Sequence, residues 1–161
     1  MYSDTPMNNE ANHVVYIEIA TEHDVPELIR LLDVLFSIEL DFSPDTQRQR
    51  KGLEQMIEPS TRHRVMIART HDRIVGMATA QMVISTAQGG YSAWVEDVIV
   101  DRAYRRMGIG SALINALALW AKASGATRMQ LLCETTNHRA LHFYDTNGWE
   151  TTGLTCLRTL F

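Results

Sequence analysis

The spacing of apolar residues changes several times along the chain, and each change marks an element. "VVYIEIA" (Val14 to Ala20) alternates apolar and polar positions and predicts a strand. In the following "TEHDVPELIRLLDVLFSIEL", Val25, Leu28, Ile29, Leu32, Leu35 and Phe36 recur at three- and four-residue intervals, the stripe of an amphipathic helix. Asp24 reads as its N-cap, with Pro26 in the first turn and Glu27 three residues after the cap. "DFSPD" ends it. A second helix is predicted from about Thr46 to Ile57, with Leu53, Met56 and Ile57 inward and "QRQRK" as a solvated face.

From Arg64 the period shortens to two. "RVMIART" and "RIVGMATAQMVIS" flank the polar turn "HDR" and predict a hairpin. After the "AQGGY" loop, "AWVEDVIV" is β-branched nearly throughout, as a strand covered on both faces would be. Helical spacing returns from about Gly108 to Ser124, with Ile109, Leu113, Ala116, Leu117 and Trp120 on one side and Gly125 in the terminating C′ position. "RMQLLCE" predicts another strand. Asn137 then starts a short helix containing Ala140, Leu141, Phe143 and Tyr144, Asn147-Gly148 stops it, and a closing strand is predicted around Thr151 to Leu160. This order of elements predicts an α/β (α+β) fold with helices on the faces of a mixed, mostly antiparallel sheet.

Composition narrows the setting. A chain of 161 residues suits one domain, here expected over residues 14–161, with residues 1–13 as a flexible tail. The net charge of −4 lends no general support to nucleic-acid binding. No apolar run approaches the roughly 18 residues of a membrane helix, and the start of the chain does not read as a signal peptide, so a cytoplasmic protein is expected. Cys133 and Cys156 each lie in a β-like run and are expected to be reduced, buried thiols. His63, His71, His138 and His142 show no metal-ligand spacing, and no metal is expected.

The chemistry concentrates in "VEDVIVDRAYRRMGIGSALI", residues 95–114. A nucleoside-triphosphate P-loop needs a Gly-Lys-Ser/Thr that is absent here. A dinucleotide fingerprint fits better, with Glu134 at the expected distance, but Leu113 stands at the third small position and a dinucleotide fold would open with the motif. A third use of the same physics remains. The head of a helix carries unpaired N–H groups and a partial positive charge, so a turn from Arg105 to Ser111 can cradle a pyrophosphate, with Gly108 and Gly110 permitting close approach.

That last pattern, Arg105-x-x-Gly108-x-Gly110 after a buried strand, resembles the coenzyme A motif of the GNAT superfamily of N-acetyltransferases. "NHRALHFYDTNGW" is similar to the family's Asn-x-x-Ala-x-x-Phe-Tyr helix followed by Gly-Phe, with Trp149 in place of Phe. The resemblance spans about residues 14–161 and implies a mixed, mostly antiparallel sheet of about six to seven strands flanked by about four helices. It also implies acetyl-CoA as co-substrate. Val98, Ile99 and Val100 would offer main chain to the pantetheine arm, and Arg105, Arg106, Met107, Gly108, Ile109, Gly110 and Ser111 would hold the pyrophosphate. Asn137, Ala140, Phe143 and Tyr144 would line the cofactor arm, although Asn137 also suits a plain N-cap. Tyr144 would protonate the departing coenzyme sulfur.

Glu96 and Asp97 are the candidate bases, and a regular strand points them to opposite sides. Glu96, on the side of Val98 and with the longer reach, is preferred; a bulge in this strand would reverse the choice. The Val98 N–H is the expected oxyanion donor. The resemblance implies an acceptor pocket at the first two helices and their connection, where Glu39, Asp41 and Asp45, with Phe42 among them, would be either an acidic, partly aromatic mouth for a cationic acceptor or a solvated loop. The expected activity is direct acetyl transfer to the primary amine of a small molecule, by a protein that is a homodimer by family habit. The alternatives are a non-catalytic acyl-CoA sensor and an enzyme acting on protein or peptide amines.

Overall fold

The computed structural model describes residues 14–38 and 44–161, which divide after Gln130 into two compact units. The expected tail at residues 1–13, and Glu39, Asp41 and Phe42, lie outside the described residues. The first unit carries strand β1 (Tyr16–Ile19), helices α1 (Val25–Phe36) and α2 (Thr46–Ile57), strands β2 (His63–Arg69), β3 (Ile74–Ser85) and β4 (Gly90–Val100), helix α3 (Ile109–Ala123) and strand β5 (Ala126–Gln130). The strands form one five-stranded sheet in sequence order, antiparallel except for the β4–β5 pair. The second unit holds one helix, α4 (His138–Thr146).

Both faces of the sheet are covered, because successive strand residues point opposite ways. Met77 joins a buried cluster with Leu28, Leu31, Leu32 and Leu53 of α1 and α2. Its neighbour Gly76 faces the other way, where an added Cβ would lie 3.2 Å from Leu113 of α3 and 3.1 Å from the Ile99 carbonyl. A Cβ there would require these neighbours to give by a few tenths of an ångström, so glycine eases the close approach of α3 to β3 and β4. Ile109, Leu113, Ala116, Leu117 and Trp120 are all buried, as their helical spacing requires. Gly125 ends α3 with φ +87°, a left-handed conformation that favours glycine.

Several expectations need correction. No strand forms over residues 151–161, and among the described residues the sheet has five strands rather than six or seven. The pattern there is locally β-like, but a strand exists only through a ladder, and none reaches this segment. β5 also ends at Gln130, earlier than "RMQLLCE" implied, so Cys133 and Cys156 lie outside strands, the first half-buried and the second exposed. Asp24 does not cap α1 through its side chain. Its carboxylate instead accepts from the Thr21 N–H (2.8 Å) and hydroxyl (2.9 Å) and from Arg69 Nη2 (2.7 Å), tying the chain before α1 to β2. Within "QRQRK", Gln49 turns inward and donates to Asp33 of α1 at 2.9 Å. Asp45 caps α2, accepting from the N–H groups of Gln47 and Arg48.

Candidate active site

The expected site residues of the first unit gather at the end of β4 and the start of α3. β5 pairs with β4 only from Tyr91 to Trp94, and the ladder stops at Trp94 opposite Gln130. Among the described residues, Val95 to Val100 therefore have no strand partner on that side. Val98, Ile99 and Val100 lie on this open edge, whose main-chain donors and acceptors can take an extended ligand as one more strand.

At the same place β4 carries a bulge. Thr79 pairs with Glu96 and Met77 with Ile99, so Asp97 and Val98 together oppose Ala78. Asp97 takes up the extra residue with φ +52°, a left-handed conformation that aspartate tolerates better than most side chains. The bulge overturns the expectation that the two acids point apart. Thr79 Oγ1 donates to Asp97 Oδ2 at 3.1 Å, and Gln81 Nε2 donates to Glu96 Oε2 at 3.2 Å. Thr79 and Gln81 are two apart on β3 and share a face, so both carboxylates lie on that face.

Their surroundings differ. Glu96 is exposed, whereas Asp97 is half-buried beside the buried Thr79 hydroxyl. Burial raises the Asp97 carboxyl to about 6, the Thr79 hydrogen bond pulls it down, and the Glu96 charge pushes it up. No described cationic side chain forms an ion pair with either acid. Asp97 is thus a carboxylate held in an unfavourable charged state at neutral pH, the property that suits a group meant to take up a proton.

Beyond Val100 the chain makes a 3-10 turn over Arg102–Tyr104 and then enters α3. Arg105 Nε donates to the Val100 carbonyl at 2.8 Å, folding the turn back onto the strand end. Arg106 and Gly108 both have positive φ, +63° and +78°. The first helical bond runs from the Ala112 N–H to the Gly108 carbonyl (3.0 Å), so the N–H groups of Ile109, Gly110 and Ser111 precede the bonded ladder. With glycine at the N-cap, no cap side chain bonds to them. The turn therefore has the make-up of an anion cradle: free donors, a helix dipole, and the exposed Arg102 and Arg106 beside it. Met107 lies within the same turn, half-buried.

In the second unit Asn137 caps α4, its side-chain oxygen accepting from the Ala140 N–H at 3.1 Å. Tyr144 packs its ring 5.1 Å from Phe143 and 5.6 Å from Trp149, centroid to centroid. The chain turns after α4 at Gly148, φ +80°.

Two features of the site had weak sequence signals. Thr79 looks like any strand residue until register puts its hydroxyl on Asp97. Asp101, which follows β4, accepts from Arg30 of α1 and Arg73 before β3. Those pairs lie 71 and 28 residues apart and follow no local pattern.

The model of the acetyltransferase (GNAT) family matches residues 26–149. No curated protein matches the sequence. Among solved structures, an aminoglycoside acetyltransferase from an uncultured soil metagenomic sample, in complex with trehalose, has a TM-score of 0.73 at 26% identity, covering 91% of this chain and 97% of that one. An aminoglycoside N-acetyltransferase in complex with CoA reaches 0.79 at 15% identity over 95% and 99% of the two chains. Glucosamine-6-phosphate N-acetyltransferase from Arabidopsis thaliana gives 0.73 at 17% identity over 91% and 99%, and these last two share the fold. With the match running from α1 through the cradle to Trp149, the chain belongs to the GNAT family of N-acetyltransferases, which take their acetyl group from acetyl-CoA.

Proposed function

We propose that the protein transfers acetyl from acetyl-CoA directly to a primary amine of a small, cationic molecule, with Asp97 as the base. The observation that carries this reading is the bulge, which sets a half-buried carboxylate, without a cationic partner among the described residues, beside the open edge of β4. An amine is mostly protonated at neutral pH and must lose a proton before it can attack. A carboxyl near 6 is still largely ionised at pH 7 and is a stronger base than an ordinary aspartate. Asp97 replaces Glu96 as the preferred base, and Glu96 adds negative charge on the same face to attract the ammonium group.

In the reaction the amine nitrogen attacks the thioester carbonyl, and the Val98 N–H holds the developing oxyanion. Asp97 accepts the ammonium proton before this attack, directly or through water, and the second proton leaves nitrogen for water once the C–N bond has formed. The C–S bond then breaks, the acetyl group stays on nitrogen as an amide, and Tyr144 supplies a proton to the coenzyme sulfur. The turn from Arg105 to Ser111 binds the pyrophosphate and the edge from Val98 to Val100 aligns the pantetheine arm. Asn137, whose oxygen caps α4, offers its amide NH2 to the same arm, flanked by Ala140, Phe143 and Tyr144. Residues 14–161 act as one catalytic domain in the cytoplasm, as a homodimer.

The test is release of free coenzyme A across small amines, polyamines, amino sugars, aminoglycosides and peptides, with thermal stabilisation by acetyl-CoA measured alongside. Turnover of small amines is expected. Stabilisation without turnover of any acceptor would replace the enzyme by a sensor, and turnover confined to peptides would replace the acceptor class. Tyr144→Phe should keep coenzyme affinity and lose kcat; loss of affinity alone would remove its acid role.

A further inference from the structure

An acid stands where a phosphate-binding turn begins, and its surroundings explain why. Asp101 follows the last residue of β4 and precedes the Arg102–Tyr104 turn. Its side chain is only 15% exposed, and each oxygen takes one guanidinium: Oδ1 accepts from Arg30 Nη1 at 3.2 Å, and Oδ2 from Arg73 Nη2 at 2.7 Å. The Asp101 N–H donates to the Val75 carbonyl (2.8 Å), and its own carbonyl accepts from the Tyr104 N–H (2.9 Å). Arg30 is itself held, donating to the Ile74 carbonyl at 2.8 Å and to Glu27 at 3.2 Å. The carboxylate thus joins α1, the start of β3 and the first residue after β4, while its charge is matched and does not repel a bound anion.

We propose that Asp101 is a positioning residue for acetyl-CoA, clamped by Arg30 and Arg73 so that the turn it opens presents the N–H groups at the head of α3 to the coenzyme pyrophosphate. The proposal rests on reading the Arg105–Ser111 turn as the pyrophosphate site. Arg105, bonded to Val100, fixes the middle of the turn, and buried Ile109 with Leu113 against Gly76 fixes its exit. Asp101 fixes its start. Without this carboxylate, Arg30 and Arg73 lose the anion they share, and their repulsion opens the turn at its first residue.

The experiment compares two donors in steady-state kinetics: acetyl-CoA, and S-acetylpantetheine, which has the thioester arm but no pyrophosphate. The unaltered protein should prefer acetyl-CoA through KM. Asp101→Asn should raise KM for acetyl-CoA about tenfold, the scale of one lost charge-assisted bond, with kcat little changed and KM for acetylpantetheine unmoved. Arg73→Gln, at a half-exposed position that tolerates replacement, should shift the same KM in the same direction by less. Retention of the full preference by both variants overturns the clamp, and so does equal weakening toward both donors, the mark of a purely structural role. If the unaltered protein shows no preference, the reading of the turn as the pyrophosphate site falls, and the clamp with it.

Discussion

Asp97→Asn should stabilise the protein at neutral pH while removing most of its activity. The Asp97 carboxyl titrates near 6 rather than at its usual 3.8, because burial disfavours the charge. The folded state therefore binds the proton more tightly than the unfolded chain does. Stability from this group is complete below the unfolded value and is lost as pH rises through about 6. The rise from 3.8 to about 6 is worth at most about 3 kcal/mol, and partial exposure discounts this to about 1–3 kcal/mol. Asparagine removes that cost without other damage, since it tolerates the positive φ and keeps an oxygen for the Thr79 hydroxyl. At about 2–4 °C per kcal/mol for a chain of this size, the melting temperature should rise by about 2–12 °C at pH 8. Thermal melts of both proteins between pH 4.5 and 8 should show the gap smallest at the acid end and fully open above pH 7. Loss of the base should lower kcat about 100-fold or more. A variant less stable at pH 8, or a gap independent of pH, would refute the burial argument; retained kcat would refute the assignment of the base.

Gly76→Ala should cost about 1–3 kcal/mol, because the new methyl meets the Ile99 carbonyl at 3.1 Å, Leu113 at 3.2 Å and Val100 at 3.3 Å; denaturant unfolding measures it. Arg69→Met should destabilise by about 3 kcal/mol, since buried Asp24 loses a charged partner. Burial pushes the Asp24 carboxyl up, but Arg69 and Thr21 more than offset this and hold it below 3.8. Its contribution is therefore present above 3.8 and lost as pH falls further, and the Arg69→Met penalty should shrink in acid. Gly108→Ala forces a Cβ into φ +78° and should raise KM for acetyl-CoA severalfold at a stability cost of about 1 kcal/mol, separable by kinetics and melts.

Much of the framework was legible because its signals are local. The stripe Val25, Leu28, Ile29, Leu32 marks α1 whatever it packs against, and the bounds expected for Thr46 to Ile57 are those observed. Gly108 and Asn137 announce helix starts through their own backbone and side chain. The failures share a physical cause. "QRQRK" looks solvated until Asp33 of α1 offers Gln49 a partner. "TGLTCLRTL" has strand chemistry but lacks a ladder, and strand chemistry alone makes no strand.

By itself, then, the sequence determined the helices, the hairpin, the glycine-opened cradle and the family they resemble, because helix periodicity and turn chemistry act over a few residues. Tertiary structure alone decided the surroundings of each acid. One extra residue between Glu96 and Ile99, visible only in the register against β3, brings both carboxylates to one face and half-buries Asp97 beside Thr79. Strand register depends on partners far along the chain, and a carboxyl's proton affinity depends on the water removed around it. Neither is encoded in the spacing of the residues that carry them.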